Sequence, residues 1–384
     1  MTGRFHALDA VRSAAMLLGL FFHGAISFLE TPVPWAVRDR STHWGVDLFA
    51  WACHTFRMPV FFLMSGFFAR LLHERMGMAP FLRHRARRIL VPFAVALVPI
   101  LLSLWALWSW GWSRQGVPVV TYPGLEVPSL DPAEAELSPA HLWFLYYLAM
   151  LLAGLALVLA AVRRVPPGRA DALFRAAVGS WTLPFLLAVP TGATLFFMKT
   201  IEADTPVSFV PQPRILAYYA VFFAFGWWLH RSPDLVAGFG RRLPAAAAVA
   251  ALAFPLLLFP LEMMQRDGGI EPPSLRAGAV YLSALFGWSM VLLFVGVFVR
   301  WLPGERAGVR WLADSAYWCY LLHLPVVVFF QILVADWEWP GPAKYALVMG
   351  ATLAVCLGSY RAFVRYSFLG TALNGRRERA APGA

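Results

Sequence analysis

Ten apolar segments, each long enough to cross a membrane as a helix, account for most of this 384-residue chain. A helix needs about 20 apolar residues to cross roughly 30 Å of hydrocarbon. The segments fall near 8–30, 45–70, 89–112, 141–162, 180–198, 214–230, 244–262, 278–299, 315–335 and 343–363. With 60% hydrophobic residues and a mean hydropathy of +0.62, the composition excludes a water-soluble fold. The sequence predicts an all-α, polytopic integral membrane protein with about ten transmembrane helices.

The distribution of basic residues predicts the orientation of these helices, because cytoplasmic loops carry the excess of Arg and Lys. With the N-terminus inside, the cytoplasmic segments hold 22 of the 32 Lys and Arg residues and the outer segments hold 8. Ten spans then place both termini in the cytoplasm. We expect residues 1–365 to form one transmembrane domain in the bacterial inner membrane and residues 366–384 to form a short basic tail.

Several functional classes are disfavoured by the sequence. The sequence pI of 10.1 reflects basic residues spread over many loops, so we expect no nucleic-acid partner. The three cysteines, Cys53, Cys319 and Cys356, all fall within predicted spans and show no disulfide or zinc spacing, and we expect no metal. The sequence contains no G-x-S-x-G, H-E-x-x-H or P-loop motif, which disfavours hydrolase and nucleotidase functions.

The first span carries two ionisable residues, Arg12 and His23. Eleven residues apart on an α-helix, they return to within roughly 20° of the same face. Ionisable groups inside a membrane are costly and usually functional. In the alternative interpretation, Arg12 reaches the surface and pairs with Asp9, and His23 is a buried histidine with structural hydrogen bonds.

The second span carries His54 and Arg57, which share a helix face because they are three residues apart. Counted from the start of the span, both lie close to the predicted depth of His23. If the first two helices are adjacent and antiparallel, two imidazoles and a guanidinium meet in one polar pocket. Alternatively, Arg57 only neutralises Asp47 or Glu30.

Two further groups have a regular spacing. Arg85 and Arg88 form an Arg-x-x-Arg pair at a predicted cytoplasmic helix start, where guanidinium groups can grip phosphates, although any positive-inside loop is also basic. Tyr317, Tyr320 and His323 repeat every third residue and predict a polar stripe along the ninth span. Interhelical hydrogen bonding explains such a stripe almost as well as ligand contact.

The fourth span begins with His141 and continues with Trp143 and Tyr146 at the predicted outer interface. Aromatic residues are enriched at membrane interfaces. We therefore expect Trp143 and Tyr146 to be interfacial anchors rather than part of a catalytic site.

Taken in this order, the segments resemble the membrane-bound acyltransferase family 3, and within it the branch that succinylates osmoregulated periplasmic glucans. The resemblance covers nearly the whole chain and rests on Leu8-Asp9 with Arg12 and His23, His54 to Pro59, Phe61-Phe62, Ser65 to Phe68, Arg85 to Arg88, His141 to Leu145, Ser315 to His323, Tyr360-Arg361 and Leu373 to Gly375. It implies an acyl-CoA donor that binds from the cytoplasm and an extracytoplasmic carbohydrate acceptor. By position, His23 corresponds to the catalytic histidine, Arg12 to its partner in the Arg-x10-His motif, and Arg85 and Arg88 to the Arg-x-x-Arg motif.

The resemblance implies the following mechanism. The phosphates of acyl-CoA bind Arg85 and Arg88, the thioester reaches His23, and neutral His23 takes a proton from a sugar hydroxyl. Direct transfer and an acyl-enzyme at His23 both remain open. The expected oxyanion donors or residues of the acyl and acceptor pocket are His54, Arg57, Ser65, Gly66, Tyr320 and His323. If the acyl group is succinyl, Arg57 is also a candidate to hold its free carboxylate.

The expected function is transfer of an acyl group, with succinyl favoured, from acyl-CoA to a hydroxyl of a periplasmic glucan. We expect no permanently bound cofactor. The expected partners are acyl-CoA, the carbohydrate acceptor and membrane lipid. The sequence leaves open whether the chain forms a homo-oligomer. One alternative is an O-acetyltransferase of another surface or lipid-linked sugar. The other is a proton-coupled transporter that uses Arg12, His23, His54 and Arg57.

Overall fold

The chain is all-α in the ranges that the computed structural model describes, which are residues 6–115, 138–161, 168–267 and 272–374. Residues 375–384 of the predicted tail lie outside these ranges. The α-helices are α1 (His6–Ala25), α2 (Trp44–Met76), α3 (Met78–Arg114), α4 (Trp143–Ala161), α5 (Arg169–Gly179), α6 (Leu183–Leu195), α7 (Pro213–Leu229), α8 (Val236–Arg241), α9 (Leu243–Asp267), α10 (Pro273–Trp301), α11 (Ala307–Val334), α12 (Gly341–Ser359) and α13 (Phe368–Asn374). Short 3-10 turns follow α1 and precede α4 and α8, and a π-helical turn, Tyr360–Val364, follows α12.

Eight helices in the described ranges are long and apolar enough to cross a membrane: α1 with its 3-10 turn, α2, α3, α4 with its 3-10 turn, α9, α10, α11, and α12 with its π turn. A ninth crossing is possible if α5 and α6, which meet at 111°, count as one broken span. The predicted span 180–198 therefore contains only the 13 residues of α6, and 214–230 contains 16 of the 17 residues of α7. Both short helices pack on longer ones, which is where a membrane protein tolerates interrupted backbone.

The junction between α2 and α3 is a single glycine. Gly77 has φ of +75°, a conformation open to glycine at little cost, and its amide donates to the His73 carbonyl at 2.9 Å. The chain therefore turns from one long helix into the next without a loop. This places Arg85 and Arg88 about two and three turns into α3 rather than at the predicted helix start.

The α2 and α7 helices cross at two glycines that face each other's backbone. A Cβ at Gly66 would lie 2.0 Å from the Phe223 carbonyl oxygen, and a Cβ at Gly226 would lie 1.9 Å from the Leu63 carbonyl oxygen. Small residues allow such close helix contact, and van der Waals packing drives helix association in lipid. This crossing fixes α2 at the centre of the bundle, where it also packs on α1 and α10.

The α1 helix packs against α11 and α2; Ser13 is buried and His23 is partly buried, whereas Arg12 is exposed. The lipid-facing surface lies elsewhere, notably on α3, where Val95, Leu102 and Trp105 are exposed. Trp143, expected as an interfacial anchor, is instead buried between Phe62 and Tyr219. The expectation was wrong because hydropathy cannot distinguish an aromatic residue that faces lipid from one that faces a neighbouring helix.

Candidate functional site

The C-terminal turn of α1 presents His23 to the bundle and is held there by side chains. The last carbonyls of a helix have no helical partner. Here Tyr345 donates to the Phe21 carbonyl at 3.0 Å, and the Gln331 amide donates to the carbonyls of His23 and Gly24 at 2.9 and 3.0 Å. The backbone on both sides of the imidazole is therefore fixed by α11 and α12.

His23 contacts a second histidine on α11. Its Nδ1 lies 2.9 Å from Nε2 of His323, and the two rings are nearly parallel. The Nδ1 of His323 lies 3.1 and 2.7 Å from the carbonyl oxygens of Cys319 and Tyr320, which can only accept. Nδ1 of His323 must therefore carry a proton, and in the neutral pair its Nε2 accepts from Nδ1–H of His23. This arrangement leaves Nε2 of His23 unprotonated.

His23 is partly exposed, whereas His323 is buried. Buried His323 can fix the tautomer of His23, and the more accessible ring of His23 can contact a substrate. A neutral imidazole with a fixed, accessible lone pair is the group that general-base catalysis requires. The position and the assigned tautomer of His23 are thus compatible with the general-base role predicted for it.

Arg57 of α2 is a buried guanidinium beside this site. Its Cζ lies 4.2 Å from the centre of the Phe22 ring, and Nη1 donates to the Gly19 carbonyl at 3.5 Å. Nε is buried and has no hydrogen-bond partner in the described chain. The alternative pairing with Asp47 is not observed, because Asp47 accepts from the backbone amides of Glu30 and the following residue. No described carboxylate forms an ion pair with Arg57.

His54 lies on the same side of α2, with its ring 5.9 Å from that of Phe22. Its nitrogens, however, contact the loop between α6 and α7. Nδ1 lies 3.3 Å from Glu202 Oε2, and Nε2 lies 3.3 Å from Thr205 Oγ1. The other oxygen of Glu202 accepts from Thr55 at 2.6 Å. His54 therefore links this loop to the site, and we do not place it as an oxyanion donor.

His141 is a third imidazole of this cluster, packed edge-on against His323 at 5.1 Å. Its Nε2 donates to the Leu321 carbonyl at 3.2 Å, and its buried Nδ1 has no partner in the described chain. The Tyr320 hydroxyl donates to the His141 carbonyl at 2.8 Å. Tyr320 is thus a structural donor that fixes His141 rather than an open ligand contact.

At the predicted cytoplasmic end, Arg12 and Arg85 both contact Phe68. Cζ of Arg12 lies 5.5 Å from the Phe68 ring, and Nη2 of Arg85 donates to the Phe68 carbonyl at 3.4 Å. Arg12 also lies 3.6 Å from Asp9, as the alternative interpretation expected. Arg88 is engaged elsewhere, since its Nη1 donates to the Leu373 carbonyl at 2.6 Å. Of the three arginines, Arg12 and Arg85 are therefore the two that contact Phe68.

The helix geometry does not bring Ser65 and Gly66 to the His23 pocket. Gly66 follows Arg57 by nine residues, about 13 Å along α2. Its amide lies inside a continuous helix, and its free face packs on α7. A backbone amide already used in the helix cannot serve as an oxyanion donor, so we exclude both residues from the pocket.

Sequence reasoning missed three residues that hold the site. Gln331 holds the end of α1, Trp35 donates from Nε1 to Gln331 Oε1 at 2.8 Å, and Glu202 contacts His54. Gln331 is a polar residue within an apolar span, a signal that could have identified it. Trp35 and Glu202 lie in loops, where the sequence carries no comparable signal.

A family described as an acyltransferase domain matches residues 5–361. The chain is 27% identical over 344 residues to glucans biosynthesis protein C of Salmonella typhimurium strain LT2 and of Salmonella typhi, and 26% identical to that of Salmonella schwarzengrund strain CVM19633. Each alignment covers 85% of this chain and 83% of the relative. No solved structure matches the chain.

Proposed function

Because this chain belongs to the acyltransferase 3 family and is a multi-pass membrane protein, we propose that it is an acyl-CoA-dependent O-acyltransferase of a periplasmic glucan. The single observation that carries the proposal is the hydrogen bond from His23 to His323, because it leaves a fixed lone pair on Nε2 of the partly exposed His23. Family membership favours an enzyme over the transporter alternative.

In the proposed reaction, Nε2 of His23 takes the proton of an acceptor hydroxyl as its oxygen attacks the thioester carbonyl. The tetrahedral intermediate collapses, the carbon–sulfur bond breaks, and the CoA thiolate takes the same proton from His23. The protonated ring keeps its Nδ1–H hydrogen bond to His323, so the charge forms without rearrangement. No net proton is gained or lost.

The donor is proposed to enter at the end of α1 that carries Arg12. The guanidinium groups of Arg12 and Arg85 both contact Phe68 and present charges that suit phosphates. From Arg12 to His23, α1 rises about 16 Å. The extended pantetheine arm of CoA suits this separation between a phosphate site and a thioester site.

The acceptor is proposed to enter from the other end, where Glu202 and the residues around it lie in a loop. A carboxylate with hydroxyl neighbours is a common arrangement for binding sugar hydroxyls. The relatives' name, glucans biosynthesis protein C, supports a glucan, and the family resemblance favours a succinyl group. The positive-inside pattern supports the bacterial inner membrane as the location.

The test uses the purified full-length protein in lipid nanodiscs with succinyl-CoA and a β-glucan oligosaccharide. We expect release of free CoA and a succinylated product detected by mass spectrometry. His23→Ala should lower the rate by roughly 10²- to 10⁴-fold, the contribution of a general base. His73→Ala, a histidine near the end of α2, is the control and should retain activity.

Three results would contradict the proposal. The first is a wild-type protein that releases no CoA with any glucan. The second is a His23→Ala variant with unaltered turnover. The third is flux of a solute across proteoliposomes without acyl-CoA consumption, which would favour the transporter.

A further inference from the structure

We propose that Arg57 binds a carboxylate on the acyl group of the donor, so that the enzyme selects CoA thioesters of dicarboxylic acids. This inference rests on the proposed function, which places the thioester at His23. In this proposal, the Arg57 side chain determines whether the enzyme prefers a charged or an uncharged acyl group.

The first argument is the charge of Arg57 and its lack of an ionic partner. The residue is 7% exposed and forms no ion pair with a carboxylate of the described chain. A buried charge without a partner is strongly unfavourable, and proteins usually pair it. Lys344, the other fully enclosed cation of the described residues, contacts Asp39 at 2.5 Å. Arg57 thus lacks the carboxylate contact that Lys344 has.

The second argument is the state of the guanidinium's hydrogen-bond donors. A guanidinium has five N–H groups that suit the two oxygens of a carboxylate. Here Nη1 makes one long bond of 3.5 Å to Gly19, and Nε is buried without a partner. The Phe22 ring covers one face of the group and leaves its N–H edge to other ligands. An incoming carboxylate would satisfy both the charge and the unused donors.

Arg57 also lies near His23 and away from the proposed phosphate site. Cζ of Arg57 lies 4.2 Å from the centre of the Phe22 ring, and the centre of that ring lies 5.2 Å from that of the His23 ring. The phosphates of CoA are proposed to bind about 16 Å away, beside Arg12 and Arg85. An anion that reaches Arg57 while the thioester is at His23 therefore belongs to the acyl group rather than to the nucleotide.

The test compares two donors that differ at one end of the acyl chain. Succinyl-CoA carries a carboxylate where butyryl-CoA carries a methyl group, and both have four acyl carbons. Transfer to the glucan is measured as kcat/KM for each donor with wild type, Arg57→Gln and Arg57→Lys. Arg70→Gln is the matched control, since Arg70 lies on the same helix but pairs with Glu74 near its end.

We expect wild type and Arg70→Gln to prefer succinyl-CoA. Arg57→Gln should shift the ratio of the two kcat/KM values toward butyryl-CoA by roughly 10- to 100-fold, as expected for loss of a charged hydrogen bond. Arg57→Lys should lie between them. Equal loss with both donors would overturn the proposal and make Arg57 an oxyanion donor, and wild-type indifference to the two donors would also overturn it.

Failure of the proposed function has a different signature. If folded wild type transfers neither acyl group, the enzyme assignment fails, and the Arg57 site is then tested by binding alone. Thermal stabilisation of wild type by succinyl-CoA beyond that by butyryl-CoA, lost in Arg57→Gln, would still support a carboxylate site. If both Arg57 variants misfold, the wild-type ratio decides.

Discussion

Nδ1 of His23 and Nε2 of His323 lie 2.9 Å apart, although the two residues are 300 positions apart in the chain. The second ring is oriented by two backbone carbonyls of its own helix, so its proton position is set before any substrate arrives. His323 is therefore a positioning residue that acts through His23.

Replacing His323 should affect the rate according to whether the new side chain can accept from His23. His323→Gln keeps an acceptor oxygen and should retain much of the activity, whereas His323→Met offers none and should lose roughly 10²-fold or more. Nitrogen-15 NMR of labelled histidine reports the tautomer directly. We expect the proton on Nδ1 of His23 in wild type and a mixture of tautomers in His323→Met.

A merely structural role for His323 predicts another pattern. The two variants would then lose activity in proportion to their loss of thermal stability, and the NMR tautomer of His23 would not change. KM for the donor should stay near the wild-type value in both variants, because His323 lies far from the proposed phosphate contacts.

The arginines at the proposed donor entrance should separate into two groups. Arg12→Gln and Arg85→Gln should each raise KM for acyl-CoA by roughly 10- to 100-fold, because each would lose a charged contact to phosphate. Arg88→Gln should mainly loosen α13, since Arg88 bonds the Leu373 carbonyl. Arg87→Gln, an exposed arginine on the same helix, is the control.

Steady-state kinetics and limited proteolysis check this division. If Arg88→Gln raised KM as strongly as Arg85→Gln and left α13 protected, the Arg-x-x-Arg pair would act as one phosphate site. If Arg87→Gln raised KM for acyl-CoA by the same factor, the effect would come from the overall surface charge and not from a specific phosphate contact.

The buried ion pair between Asp39 and Lys344 should stabilise the loop that carries Trp35. The Lys344 and Asp39 side chains are 0% and 1% exposed, and Lys344 also donates to the Trp337 carbonyl. Lys344→Met alone should cost about 3 to 5 kcal/mol, because it leaves a buried carboxylate without its partner. The double variant with Asp39→Asn should recover much of that loss in a thermal or denaturant unfolding assay. A double variant as unstable as Lys344→Met would contradict this account.

The glycines at the α2–α7 crossing should not tolerate a methyl group. Gly66→Ala would place Cβ against the Phe223 carbonyl and should destabilise the protein by about 1 to 3 kcal/mol, as overpacking does. Gly154→Ala in α4 has no neighbouring atom within 4 Å of the new Cβ and should be neutral or slightly stabilising. The melting temperatures of the two variants in detergent test this prediction. Equal melting temperatures would show that α2 and α7 can move apart without loss of stability.

Much of the helical architecture follows from hydropathy. The helix boundaries of α2, α3, α10 and α11 extend beyond the predicted spans by several residues, because apolarity marks the membrane core and not the end of the helix. The shorter helices α6 and α7 were predicted as full spans. A helix enclosed by protein can be as apolar as one in lipid and yet be shorter than the bilayer.

Part of the site also follows from spacing. Arg12 and His23 lie on one helix, and His54 and Arg57 contact the neighbouring Phe22, as helical periodicity predicts. The expectation that Ser65 and Gly66 lie near His23 was wrong. Each residue of a helix advances the chain by about 1.5 Å along the axis, so these two residues lie more than two turns beyond Arg57. The contact of His54 with Glu202 joins a helix to a loop, and no periodicity relates them.

The amino-acid sequence by itself determined that the chain crosses a membrane and which ionisable residues share a helix face, and its charge pattern predicts the orientation. These properties depend on local transfer energies and on the fixed pitch of a helix. The tertiary structure alone decided that His323 sets the proton position on His23 and that Arg57 forms no ion pair with a carboxylate in the described part of the chain. Both depend on distances of a few ångströms between helices far apart in the chain, and such distances are set by packing.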